Sequence, residues 1–184
     1  MTNIEVLTPV QDAPAPAPIS LAPRGELPDA IHLALIDNGK PRAREILALM
    51  ADELREHLPI VEVEIVSKPT AAFPITAAQA ADLAGRAHLA LAAIGDCGAC
   101  SACSLHDAIQ LERLGVPASV IITDVFPRTV AAFARTLGAP GYRPIVLPHP
   151  VSSRSSDRLR TLVHEAAPTA LDLLTTPLLA PALT

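Results

Sequence analysis

Residues 88–126 read "HLALAAIGDCGACSACSLHDAIQLERLGVPASVIITDVF", and the fold follows from how the pattern changes along them. After His88, "LALAAIG" is an unbroken apolar run with no polar side, as in a strand buried on both faces. "LHDAIQLERLG", residues 105–115, then spaces its apolar side chains at helical intervals and stops at Gly115. Glycine suits that place, because the residue after a helix end commonly takes left-handed backbone. "PASVIITDVF", residues 117–126, is a second buried strand. A strand, a helix and a second strand in this order form a βαβ unit, whose two strands lie parallel in one sheet.

The same alternation extends outward in both directions. Upstream, "AIHLALIDN" (30–38) is a strand. "RAREILALMADELREHL" (42–58) gathers Ile46, Leu47, Leu49, Met50 and Leu54 on one helical face. "IVEVEIVS" (60–67) alternates strictly, as a half-buried strand at a sheet edge does, and "ITAAQAADLAGRA" (75–87) is a helix with Thr76 as its N-cap. Downstream, "PRTVAAFARTLG" (127–138) is a helix, "RPIVLPHP" (143–150) a last strand, and residues 156–174 a final helix. The expected fold is α/β: a three-layer sandwich on a parallel, flavodoxin- or Rossmann-like sheet of about five strands, in the order 2-1-3-4-5. One domain is expected over residues 29–176. The Pro/Ala-rich stretch "PVQDAPAPAPISLAPRGELP" (9–28) shows no apolar period, so residues 1–28 are expected to be a disordered lead-in, and residues 177–184 a frayed tail.

Composition narrows the partners. Half of the 184 residues are hydrophobic but only 2% are aromatic, so the core is aliphatic and no aromatic platform exists for stacking bases. A net charge of −5 argues against a nucleic-acid partner, and no apolar run is long enough to cross a bilayer. "MTNIEVLTPVQ" lacks the basic and apolar regions of a secretory signal, so a cytoplasmic location is expected. Neither a phosphate-binding glycine loop nor a serine nucleophile elbow occurs, and no nucleotide cofactor is expected.

Ligands of such sheets bind beyond the carboxyl ends of the strands. The strand ends converging there carry Asp37, Asn38 and Lys40, then Asp96 and Cys97, then Asp124, then His149 held between Pro148 and Pro150. All three cysteines of the chain, Cys97, Cys100 and Cys103, lie within seven residues on that rim. Three chemistries fit the spacing. As a dithiol, Cys97 leaves a strand and Cys100 falls near a helix N-terminus, whose amides stabilise a thiolate, and one thiolate attacks while the other resolves. Asp96 raises a neighbouring thiol pKa but also offers a proton acceptor. As a metal centre, Cys97, Cys100, Cys103 and His106 supply a Cys₃His set by count, although the iron–sulfur run would need a fourth cysteine. As plain small hydrophobes, the cysteines would simply be buried. In a reducing cytosol C-x-x-C is more often catalytic or metal-binding than structural. His149 is a candidate for proton transfer, with Asn38, Lys40, Ser101 and His106 as candidates for binding a small substrate; Asp124 is equally a helix cap.

"IGDCGACSACSLHDAIQLERLGVPASVIITDVF" (94–126) with "IVLPHPVSS" (145–153) resembles the UGSC family of selenoproteins and their cysteine forms. It is also similar to the carboxyl-terminal part of component B of glycine/sarcosine/betaine reductase. The resemblance spans about residues 31–153, and the cysteine loop and "PHP" are its specific parts. It implies that Cys97 occupies the place of selenocysteine in relatives, Cys100 that of the motif cysteine, and Cys103 that of a further cysteine of the reductase. Cys97 is then the attacking atom on a small electrophile, or in reductive cleavage of a carbon–heteroatom bond, Cys100 resolves as a disulfide, and Cys103 is optional. No metal is expected on this view, and a thioredoxin-like reductant or a partner subunit would reset the site. The alternative class is non-enzymatic: a metal- or iron–sulfur-binding subunit, or the activating subunit of a partner enzyme.

Overall fold

The computed structural model describes residues 16–177. Residues 1–15 and 178–184, which hold much of the expected lead-in and tail, lie outside the described residues. Strands β1 (Ile31–Asp37), β2 (Ile60–Ser67), β3 (Leu89–Gly95), β4 (Ala118–Thr123) and β5 (Ile145–Leu147) alternate with helices α1 (Ala43–Arg55), α2 (Ala77–Ala84), α3 (Gly98–Arg113), α4 (Pro127–Thr136) and α5 (Ser156–Thr175). Every strand pairing is parallel, and the order is β2-β1-β3-β4-β5. This is the expected α/β three-layer sandwich, with the order reversing between β1 and β3.

Side-chain period divides the core in two. Ile31, Leu33 and Leu35 of β1 meet α1 and α5 on one face of the sheet. Ala34 and Ile36 meet α2, α3 and α4 on the other. Helix α1 presents Ala43, Ile46, Leu47, Met50, Ala51 and Leu54 as one buried stripe. Each fully buried aliphatic side chain contributes about 1.5–3 kcal/mol, and the core is almost wholly aliphatic, with Tyr142 as a buried aromatic. Edge strand β2 has no fully buried residue and leaves Val61 exposed, whereas central β3 is buried throughout. Thr76 caps α2 in a reciprocal capping box with Gln79. Gly115 follows α3 with φ 86°, a left-handed conformation that a side chain would strain. Among the described residues, no helix is long and apolar enough to cross a membrane.

Three expectations change. Residues 18–24 are not a free lead-in: Ala22 is buried, and the Ile19 amide bonds to the Gly138 carbonyl at 2.7 Å. Arg24 anchors the segment, forking onto the buried Glu112 carboxylate while its Nε donates to the Leu173 carbonyl. The proline-rich composition masked one well-placed charge. Helix α3 starts at Gly98 and so takes in the whole cysteine stretch after Cys97. Asp124 does not cap α4, which starts from Phe126 with Pro127 in its first turn; its carboxylate instead accepts the His149 amide at 3.1 Å.

Candidate functional site

The start of α3 is built on the end of β3. Gly95 has no room for a side chain: a Cβ there would lie 2.7 Å from Ser101 Oγ and 2.8 Å from Ile122 Cγ2. The helix therefore seats directly on the strand end. Cys97 is its N-cap, in extended conformation, and its Sγ accepts from the Cys100 amide at 3.2 Å. Ser101 Oγ donates back to the Cys97 carbonyl at 2.7 Å, fixing the turn from below. Cys97 and Cys100 are joined as a disulfide with their Cα atoms 5.3 Å apart. Cys97 is partly exposed and Cys100 is buried. A Cβ at Gly98 would meet nothing within 4 Å, so the turn is open on that side.

Asp96 stands beside both sulfurs: one carboxylate oxygen, Cys97 Sγ and Cys100 Sγ all lie within 4.8 Å of one another. Its Oδ1 is bound by Lys40 Nζ at 2.6 Å, so a cation from the β1–α1 loop offsets the negative charge next to the sulfurs. Lys40 is thus engaged with Asp96, on the rim where substrate binding was expected. Asn38 is not available to a substrate. It is 1% exposed, and its amide donates to the Ile94 carbonyl at 2.9 Å and to Ser104 Oγ at 3.1 Å, tying β1, β3 and α3 together. Ser101 is likewise wholly buried, so its hydroxyl positions the cysteine turn and cannot reach a ligand.

His149 does reach the same rim. It is exposed, its Nδ1 lies 3.0 Å from Thr123 Oγ1, and its ring meets Phe126 edge-on. Thr123 Oγ1 in turn faces the Gly95 carbonyl at 3.5 Å. Thr123 is the link that sequence reasoning missed. Its only signal was its place at the end of a buried strand.

The structure sets Cys103 and His106 apart from this cluster. The Cys103 thiol points at the Ala72 carbonyl at 3.2 Å, in the β2–α2 loop. That loop is held over α3 by a buried ion pair between Lys68 and Asp107, and by the Ile75 amide donating to Asp107 at 2.7 Å. Burial raises the Cys103 thiol pKa, with the Lys68 cation opposing and Asp107 adding. Burial lowers the His106 pKa, and the cations of Arg113 and Lys68 lower it further. Asp107 is a buried strut whose pKa burial raises against the pull of Lys68. The Cys₃His arrangement therefore does not form: Cys103 faces the β2–α2 loop, and neither it nor His106 joins the group of Asp96, Cys97 and Cys100.

A parallel five-stranded sandwich with a C-x-x-C closing the turn from a central strand into its helix defines a class of α/β thiol domain. The chain belongs to the UGSC family, whose sequence pattern matches residues 5–176. Among solved structures it is similar to the flavodoxin-like domain of a Synechococcus sp. protein, at 12% identity over 74% of this chain and 87% of that one, with a TM-score of 0.41. It is also similar to a diflavin flavoprotein A3 from Nostoc sp., at 13% identity over 78% of this chain and 94% of that one, with a TM-score of 0.39. No curated protein sequence matches the chain, and the family match does not confirm the similarity to component B of the glycine/sarcosine/betaine reductase.

Proposed function

We propose that the chain is a thiol-dependent redox protein acting on a small electrophilic substrate. The observation that carries this is the Cys97–Cys100 pair at the α3 N-terminus, with Asp96 within 4.8 Å of both sulfurs. Cys97 is the more exposed sulfur and attacks as the thiolate, breaking a carbon–heteroatom bond of the substrate: the heteroatom leaves with the bonding pair and the carbon is held on Cys97 Sγ as a covalent adduct. The Cys100 thiol then passes its proton to Asp96, and its sulfur attacks Cys97 Sγ. The disulfide forms, and the substrate fragment leaves two electrons richer and takes up a proton. His149, on the far side of the rim, donates to the leaving group. A thioredoxin-like dithiol in the cytoplasm returns the pair to its reduced state. Amides at a helix start favour the thiolate form of a cysteine placed there. Lys40 supports the same end, because it offsets the carboxylate that would otherwise oppose the thiolate.

The test is mass spectrometry of Cys97→Ser, Cys100→Ser and Cys103→Ser after brief alkylation and after mild oxidation. Cys97 is expected to alkylate first in the reduced protein, and Cys100→Ser to trap a mixed disulfide or adduct on Cys97. Unchanged alkylation in Cys97→Ser would refute the assignment.

A further inference from the structure

We infer that the reduced Cys97–Cys100 pair and Asp96 form a site for one thiophilic divalent cation of the zinc class, and that closing the disulfide expels the ion. This rests on the pair being reducible, as proposed above, but not on any reaction with a substrate. One oxygen and two sulfurs already lie within 4.8 Å of one another. Zinc holds thiolates at about 2.3 Å and carboxylate oxygens at about 2.0–2.2 Å, which places tetrahedral ligand atoms roughly 3.5–3.8 Å apart. Opening the disulfide lets the sulfurs relax to that spacing, and the carboxylate closes on them by at most about 1.3 Å. No backbone rearrangement is required, because all three ligands leave one turn at the end of β3.

The charge balances as well. Two thiolates and a carboxylate carry three negative charges, a divalent cation leaves one, and the Lys40 ammonium on Asp96 Oδ1 offsets that one. Lys40 becomes the outer partner that orients the ligating carboxylate, a role whose loss typically weakens metal binding about 10–100-fold. Two thiolates among three ligands select a soft or borderline ion over magnesium or calcium. Three protein ligands leave a fourth position for water, on the side where Gly98 leaves space.

The redox coupling follows from conservation of atoms. Binding displaces one proton from each thiol. Oxidation by one equivalent of hydrogen peroxide takes two electrons from the two thiolates, forms the sulfur–sulfur bond, turns the peroxide and two protons into two waters, and returns the ion to solvent. The sulfur lone pairs serve either the metal or the other sulfur, so the two states exclude each other.

The experiment titrates cobalt(II), and then zinc in competition, into the full chain reduced and kept anaerobic, with free thiols counted in parallel. One equivalent of cobalt should give a thiolate-to-metal absorption band with the visible bands of tetrahedral geometry. Asp96→Asn should weaken binding at least about tenfold. Cys103→Ser should leave the band in place, because Cys103 faces Ala72. Peroxide should discharge the ion as two thiols disappear. Absence of the band in protein with all three thiols free would overturn the site. So would a band that survives Asp96→Asn at full strength or persists after the disulfide has closed. If instead the Cys97 and Cys100 thiols do not interconvert with a disulfide at all, the fault lies in the dithiol proposal, and the thiol count shows it separately.

Discussion

Replacing Arg24 with methionine is expected to cost far more than a substitution in a proline-rich lead-in should. The Arg24 and Glu112 side chains are 3% and 0% exposed, and two guanidinium nitrogens bond the carboxylate. Glu112 also accepts the amides of Ala22 at 2.7 Å and Ala118 at 2.8 Å, so it clamps the N-terminal segment to the start of β4. Methionine keeps most of the volume but leaves a buried carboxylate with no counter-charge, a loss of about 3–5 kcal/mol. A chain of this size shifts by about 2–4 °C per kcal/mol, so the melting temperature is expected to fall by about 6–20 °C. Removing both charges in Arg24→Met with Glu112→Gln should recover part of the loss, since glutamine can still accept an amide and no bare charge remains. The assay is urea unfolding of the single and double variants, read by circular dichroism. A loss below about 1 kcal/mol in Arg24→Met, within the range of surface pairs, would refute the buried clamp and return residues 18–24 to a free lead-in.

Gly95→Ala should destabilise by about 1–3 kcal/mol, because its methyl would overlap Ser101 and Ile122; it should also slow Cys97–Cys100 disulfide formation, as followed by thiol counting. Lys68→Met leaves Asp107 buried and unpaired at a cost of about 3–5 kcal/mol, and freeing the β2–α2 loop should speed alkylation of Cys103, which is otherwise the slowest of the three thiols near neutral pH. His106 has its pKa lowered in the folded chain, so the unfolded chain binds its proton more readily; its contribution to stability is complete above about pH 6.5 and is lost as pH falls through that value toward the folded pKa. His106→Gln should flatten that limb of a stability–pH curve measured by urea unfolding, and an unchanged slope would count against a lowered His106 pKa in the folded chain.

The fold was legible because period and length agree along the chain. Unbroken apolar β3 could only be a central strand, and alternating "IVEVEIVS" could only be an edge. Helices between the strands force parallel pairing, and the parallel order follows. What was not legible depends on single polar contacts across the sheet. Arg24 meets Glu112 from 88 residues away, inside a stretch whose composition reads as unstructured. Periodicity carries no trace of such a pair, since one charge adds nothing to a pattern and its partner lies in another element.

The candidate site divides along the same line. Cysteine spacing and the rule for strand ends put Cys97, Cys100, Asp96, Lys40 and His149 on one rim, because those inferences need only topology. They could not separate residues that face the rim from residues that build it. Asn38 and Ser101 sit among the rim residues in sequence, yet both spend their polar atoms beneath it, on Ile94, Ser104 and the Cys97 carbonyl. The reason is the tight seat of α3 on Gly95: a helix that starts so close to its strand brings polar side chains of its first turns inside, where each must find a partner. The same seat accounts for the split among the cysteines. Cys97 and Cys100 bracket the first turn and share one face with Asp96, while Cys103 comes one turn later, under the loop held by Lys68 and Asp107. The sequence already treats Cys103 as optional; in the structure Cys97 and Cys100 stand beside Asp96 at the rim, and Cys103 lies against the β2–α2 loop at its side.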